Sequence, residues 1–254
     1  MALTLKTASD IRAMEEAGRL AAQALAYTGK LVKAGISTDE LDQIANDFIR
    51  THGGISACTG YRGYPKSICT SVNEVICHGV PNGRVLNDQD IINIDVTVIV
   101  KGFHGDTSSM FLVGQPSGRA KKLTECAYEA MQKGIETVRA GATTGDIGFA
   151  IDKYVTRKGF YAVREIGGHG IGRGFHEEPF IPSFGKKGRG EILHKWGTIT
   201  IEPMVNETAA KIREHAIPGC EITVVETSDG SWSAQYEHTV LITDGKPQIL
   251  TLID

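Results

Sequence analysis

The residues of this chain best equipped for chemistry are carboxylates set among β-branched neighbours. In NIDVTVIVKGFHGDTS, from Asn93 to Ser108, Asp95 interrupts an alternating apolar run and Asp106 follows the pair Lys101-Gly102. The alternation predicts a strand, Lys101-Gly102 a tight turn, and the segment from Phe103 a returning strand. With Val100 opposite Phe103, Asp95 opposes Ser108 and Asp106 opposes Thr97, so the two carboxylates are diagonal neighbours on one face. Buried carboxylates without a partner are costly, so a solvated face, an arginine or a metal ion must accompany them.

Further candidates lie downstream: Glu202 in IEPM, Glu237 in SAQYEHT, and His169 in IGGHGIGRGFHEEP, where glycines let the backbone turn and present the imidazole. Four carboxylates and one imidazole are a mostly hard ligand set. It is too acidic for a closed structural zinc site and suits two divalent ions such as Mn, Fe, Co or Zn. A pair of ions about 3.5–4 Å apart can hold and activate one water, which is the chemistry of hydrolysis. Each residue alone also has an ordinary reading: Glu202 before Pro203 as a solvated strand end, His169 as a structural turn residue, Glu237 as an edge-strand acid paired with a lysine.

These residues need elements to bring them together. An amphipathic helix is expected from about Ala8 to Lys33, closed by Gly35, and a second from the capping box Ser37-Thr38-Asp39-Glu40 to near Gly53. From Ser117 the order restarts: a helix to about Arg139, a stop at Gly141, a cap at Thr143 and a helix ending near Gly159. KAGISTDELDQIANDFIRTHG from Lys33 overlays RAGATTGDIGFAIDKYVTRKG from Arg139, and VLNDQDIINID from Val85 overlays ILHKWGTITIE from Ile192. The second overlay places Asp95 on Glu202, and His78-Gly79-Val80-Pro81 then corresponds to His176-Glu177-Glu178-Pro179. A duplicated α+β unit, approximately residues 8–112 and 117–252 of one catalytic domain spanning 1–254, would put the strand ends of both halves into one cleft.

Composition narrows the class. Across 254 residues the net charge is −3, without the polybasic signature of a nucleic-acid or anionic-membrane binder. No apolar run approaches the length of a membrane span, and the start MALTLKTASD lacks a signal-peptide pattern, so a soluble cytoplasmic protein is expected. The five cysteines include no CxxC pair and read as reduced thiols.

The motifs CHGVP at Cys77, NIDVT at Asn93, GFHGDTS at Gly102, GGHGIGRGFHEEP at Gly167, IEPM at Ile201 and SAQYEHT at Ser233 resemble type I methionine aminopeptidases over essentially the whole chain. The resemblance implies the pita-bread fold, two pseudo-symmetric α+β halves around a central antiparallel sheet. It implies Asp95, Asp106, His169, Glu202 and Glu237 as ligands of two divalent metal ions, with Asp106 and Glu237 bridging. It also implies His78 and His176 on the substrate, Glu202 as a proton shuttle, and a methionine pocket of Cys58, Tyr61, Tyr64, Cys69 and Phe175. The implied reaction is removal of the initiator methionine from nascent chains, at the ribosome, by a monomer with no direct recognition of nucleic acid or membrane. One departure stands out: where many bacterial members carry a pocket tryptophan this chain aligns Thr223, with Trp232 close by. An X-Pro dipeptidase on the same fold is the neighbouring alternative, but such enzymes carry a large additional N-terminal domain. A catalytically dead binding module would have lost ligands and gained basic patches.

Overall fold

The computed structural model describes residues 4–253, so the first residues of MALTLKTASD lie outside the described part. Four helices, α1 (Ala8–Gly29), α2 (Thr38–Thr51), α3 (Gly118–Ile135) and α4 (Thr144–Arg157), accompany a nine-stranded sheet whose pairs are antiparallel. Three helices open with reciprocal capping boxes, Thr7 with Asp10, Ser37 with Glu40 and Thr143 with Asp146. Each box satisfies backbone donors that the first helical turn would leave unpaired.

Helices α1 and α3 stop about one turn before the sequence suggests. The last residue of α1, Gly29, lies against Phe111 so closely that a Cβ there would be 2.0 Å from a ring carbon. The turn that follows runs to Gly35, whose φ of +93° lies in the left-handed region. Gly35 N–H donates to the Leu86 carbonyl at 2.8 Å, and Leu86 N–H returns to Ile36. The same exchange recurs where α3 gives way to α4: Gly141, φ +85°, donates to Leu193 at 2.9 Å, and Leu193 returns to Ala142.

The hairpin Ile91–Val100 and Phe103–Leu112 has the expected register, with Val100 opposite Phe103, Asp95 opposite Ser108 and Thr97 opposite Asp106. Its turn residues Lys101 and Gly102 have φ of 53° and 77°, the two left-handed positions of a type I′ turn. Along Ile91–Val100 the even residues Ile92, Ile94, Val96 and Val98 pack into a core with Leu20, Ala21, Ala24 and Leu25 of α1. In the second half, Ile199, Ile201, Val240 and Ile242 pack with Leu123, Ala127, Ala130 and Met131 of α3. The helices thus cover one face of the sheet, and the period-2 alternation sends Asn93, Asp95 and Thr97 to the other.

That other face is where distant segments meet. Across the sheet Asp95 opposes Ser108, and Ser108 opposes Glu237. The pairing of His238 with Ile201 sets Glu237 beside Glu202 in the same row. In the neighbouring row Thr97 opposes Asp106, Thr239 opposes Thr200, and His169 N–H donates to Thr200 Oγ1 at 2.9 Å.

The glycine-rich segment from Gly170 to Glu177 is held from the N-terminal side. Lys6, its side chain 2% exposed, pairs with Glu177 Oε2 at 3.0 Å, and Glu177 Oε1 accepts from Gly174 N–H at 2.8 Å. Lys6→Met should therefore leave a shielded carboxylate without its cation and cost about 3 kcal/mol. In a domain of this size that lowers the melting temperature by roughly 6–12 °C in calorimetry. A shift below about 2 °C would mean the pair behaves as a solvated surface pair.

Candidate metal centre and substrate cleft

Three of the candidate ligands, Asp106, Glu202 and His169, are held by hydrogen bonds with neighbours that the sheet supplies. Asp106 Oδ1 accepts from Thr97 Oγ1 at 2.7 Å, the cross-strand partner set by the hairpin register. Glu202, just past the strand Thr198–Ile201, accepts from Thr200 Oγ1 at 2.7 Å and from Gln235 Nε2 at 3.1 Å. His169 Nδ1 lies 2.9 Å from the Gly170 carbonyl, which can only accept, so Nδ1 carries the hydrogen and Nε2 a lone pair. That Nε2 is 3.5 Å from Glu202 Oε1 and 3.9 Å from Asp106 Oδ2. One ligand atom each of Asp106, His169 and Glu237 lie within 4.8 Å of one another.

The electrostatics call for a cation. Burial pushes Asp95 up to about 7 and Glu202 to about 8, and burial followed by the nearby carboxylates drives Asp106 and Glu237 well above the usual carboxylate range. Asp95 Oδ1 and Glu237 Oε1 are buried with no hydrogen-bond partner among the described residues. Carboxylate oxygens in that state are costly unless something positive meets them. Burial pulls His169 down to about 4, so its ring is neutral and free to act as a ligand. The donor set fits divalent ions that accept oxygen and imidazole.

All the site residues expected from the sequence line one cavity: Asp95, Asp106, His169, Glu202 and Glu237, His78 and His176, and Cys58, Tyr61, Tyr64, Cys69 and Phe175. His78, at φ +57°, directs Nδ1 to the Thr223 carbonyl at 3.1 Å, so its Nε2 is an acceptor. His176 Nδ1 sits 3.0 Å from the Tyr61 hydroxyl, and its ring lies 4.2 Å from that of His169. Cys58, Tyr64 and Cys69 pack with Ile217, Phe175 and Ile222 into an apolar end of the cavity.

Three lining residues were not expected: Ile166, Gly167 and Ile222. Ile222 lines this cavity beside the aligned position Thr223, which itself lines the adjoining cavity with Tyr61, His78 and His176. Thr223 turns its hydroxyl outward to Glu214 Oε2 at 2.8 Å, and Trp232 packs on the core beneath α3 and α4, so the residue at the wall is Ile222. Of the supporting residues, Thr97 is the partner that the hairpin register sets opposite Asp106, whereas Thr200 and Gln235 carry no signal in the sequence, because only the folded sheet brings them to Glu202.

With this geometry in hand, comparison with known proteins is direct. The family model of metallopeptidase family M24 matches residues 12–244. A methionine aminopeptidase of Escherichia coli K12 is 48% identical over 254 residues, covering 99% of this chain and 95% of that protein. The crystal structure of methionine aminopeptidase from Rickettsia prowazekii superposes with a TM-score of 0.95 at 43% identity, over 99% of this chain and 100% of that one. A prolidase from Pyrococcus horikoshii has the same fold at 20% identity and a TM-score of 0.76, with 98% of this chain covering 64% of that one. The fold is the pita-bread fold, and the metallopeptidase family implies divalent metal ions. The chain belongs to metallopeptidase family M24 and, within it, to the methionine aminopeptidases.

Proposed function

We propose that this chain removes the N-terminal methionine from nascent polypeptides whose second residue is small. In this reading Asp95, Asp106, His169, Glu202 and Glu237 would hold two divalent ions. The observation that carries it is the convergence of these groups at one end of a cavity whose other end is sulfur and aromatic. Co, Mn, Fe or Zn would suit the donors. When bound, such ions supply Lewis acidity and lower the pKa of water to make a nucleophile.

The chain's own residues do the rest. Cys58, Cys69, Tyr61, Tyr64 and Phe175 receive the methionine side chain, because a polarisable thioether suits sulfur and aromatic faces. The acidic end suits the free α-amine, which favours cleavage at the chain terminus. With the Tyr61 hydroxyl donating to Nδ1, His176 presents Nε2–H to the substrate carbonyl oxygen as negative charge develops there. His78 accepts from the scissile N–H through Nε2, and Glu202, steadied by Thr200 and Gln235, passes a proton to the leaving amine. The whole chain, 1–254, acts as a single catalytic domain of two repeats, 8–112 and 117–252. The paired exchanges at Gly35–Leu86 and Gly141–Leu193 support this arrangement. Cytoplasmic action as a monomer on chains emerging from the ribosome belongs to the same reading, since that is where new N-termini are made. Among the described residues, no helix is long and apolar enough to cross a membrane.

The test uses peptides. Met-Ala-Leu-Thr, the sequence with which this chain begins, should lose methionine in Mn or Co and remain intact with chelator. Met-Leu-Ala-Thr should be cleaved on the order of 10²-fold more slowly in kcat/KM, the cost of about 1 Å of misplacement when a branched side chain meets the cleft wall. Leu-Ala-Leu-Thr should also be poor, because a branched first side chain does not fit the pocket. Equal cleavage of all three by mass spectrometry points to a broad aminopeptidase, and cleavage of Gly-Pro instead to a dipeptidase.

A further inference from the structure

His104 belongs to the GFHGDTS motif, yet it does not line the catalytic cavity. It is 9% exposed, on the strand Phe103–Leu112, and strand alternation puts it on the same face as Asp106. Its backbone N–H donates to the Gly172 carbonyl at 2.8 Å, and its Nδ1 lies 3.0 Å from the same oxygen. A carbonyl has two lone pairs, so one acceptor takes both bonds and Nδ1 carries the hydrogen. The hairpin is thereby fastened twice to the start of the loop that bears His176.

The ring makes a second connection. His104 stacks on Phe175 with centroids 5.5 Å apart and planes at 21°, and Phe175 stacks on His176 at 4.4 Å and 29°. His176 in turn stacks on Tyr61 at 5.3 Å and 23° and meets its hydroxyl at 3.0 Å. His176 is itself exposed at the rim, so no enclosing core fixes its orientation. Its ring is set by this stack and by the ring of His169 at 4.2 Å. Of the stack's members, His104 alone lies on a long central strand whose register also sets Asp106.

We propose that His104 is a positioning residue: it transmits the register of the central hairpin to His176, through the Gly172 carbonyl and the face of Phe175. The consequence for the reaction rests on the proposed peptidase reading, whereas the structural link does not. His104→Ala removes both connections, His104→Asn keeps a donor for Gly172 without the ring, and His104→Phe keeps the ring without the donor.

In metal-loaded protein acting on Met-Ala-Leu-Thr, His104→Ala should lower kcat about 10–30-fold, short of the ~10²-fold cost of a full 1 Å misplacement. KM should rise much less than kcat falls, because of the proposed methionine-pocket residues only Phe175 stacks on His104. His104→Asn and His104→Phe should fall between His104→Ala and the parent. In a His176→Ala background, His104→Ala should cost less than about twofold more, because the ring it positions is gone. A merely structural role would multiply the loss equally in both backgrounds, and that result overturns the proposal. So does a loss of bound metal in His104→Ala, which would place its effect at Asp106. Should His104→Ala not fold, the Asn and Phe variants run the same cycle. Independently of activity, the imidazole ¹⁵N resonances of His176, assigned by their disappearance in His176→Ala, should shift in all three His104 variants. Unmoved resonances overturn the positioning link, whereas a parent enzyme that leaves Met-Ala-Leu-Thr intact overturns the peptidase reading alone.

Discussion

Asp106→Asn should purify with one divalent ion or fewer per chain, and its activity should fall on the order of 10³-fold or more, as expected when one member of a group acting as a unit is lost. The substitution is nearly isosteric, and Asn can keep the Thr97 hydrogen bond through its remaining oxygen, so hairpin register is preserved. What changes is the other oxygen, Oδ2, 3.9 Å from His169 Nε2, which becomes an NH₂ with no lone pair for a cation. Asp106 belongs with Glu237 and His169 to a cluster whose ligand atoms lie within 4.8 Å of one another, so the substitution takes a donor from that cluster. Stability should move the other way. Burial, Asp95 and Glu202 all disfavour an ionised Asp106, so removing its carboxylate relieves repulsion in the metal-free protein. Metal analysis by mass spectrometry and calorimetry in chelator check the two halves. Two tightly bound ions in Asp106→Asn would sink the bridging assignment.

How much of this arrangement the sequence discloses depends on which physical rule governs each segment. The hairpin is legible because alternation with period 2 fixes which residues share a face, and Lys101-Gly102 fits the left-handed turn that joins them. The helix starts are legible because capping boxes are local. The ends of α1 and α3 are less so: Gly29 is the last residue of α1 and abuts Phe111, a contact far along the chain. The glycine-rich run from Gly167 to Glu177 has no periodicity to read, and its shape is imposed by Lys6, His104 and Thr200, none of which is near it in sequence. Choosing Ile222 over Thr223 at the pocket wall likewise needs the strand direction, which sends the Thr223 hydroxyl to Glu214. Family motifs supply the site residues because they name positions whose convergence is set by cross-strand register.

His176→Ala should separate the two histidines that share the glycine-rich run. The rings of His169 and His176 are 4.2 Å apart, close enough that sequence position alone does not divide their roles. Their surroundings do. His169 Nε2 is flanked by Glu202 and Asp106 and its Nδ1 is fixed by a backbone carbonyl, whereas His176 is tied to Tyr61 and stacked on Phe175. Truncating His176 removes the donor proposed for the substrate carbonyl while leaving the carboxylate cluster intact. Losing one such donor costs about 10²–10³ in kcat, because the interaction forms mainly as the oxyanion develops. KM should change much less, since the proposed methionine pocket would carry the ground-state binding. Bound metal should stay at the parental level in His176→Ala and fall in His169→Ala, whose neutral imidazole has no replacement in the cluster. Equal metal loss in the two variants would exchange their roles, and an unchanged kcat in His176→Ala would leave the carbonyl oxygen without its proposed donor.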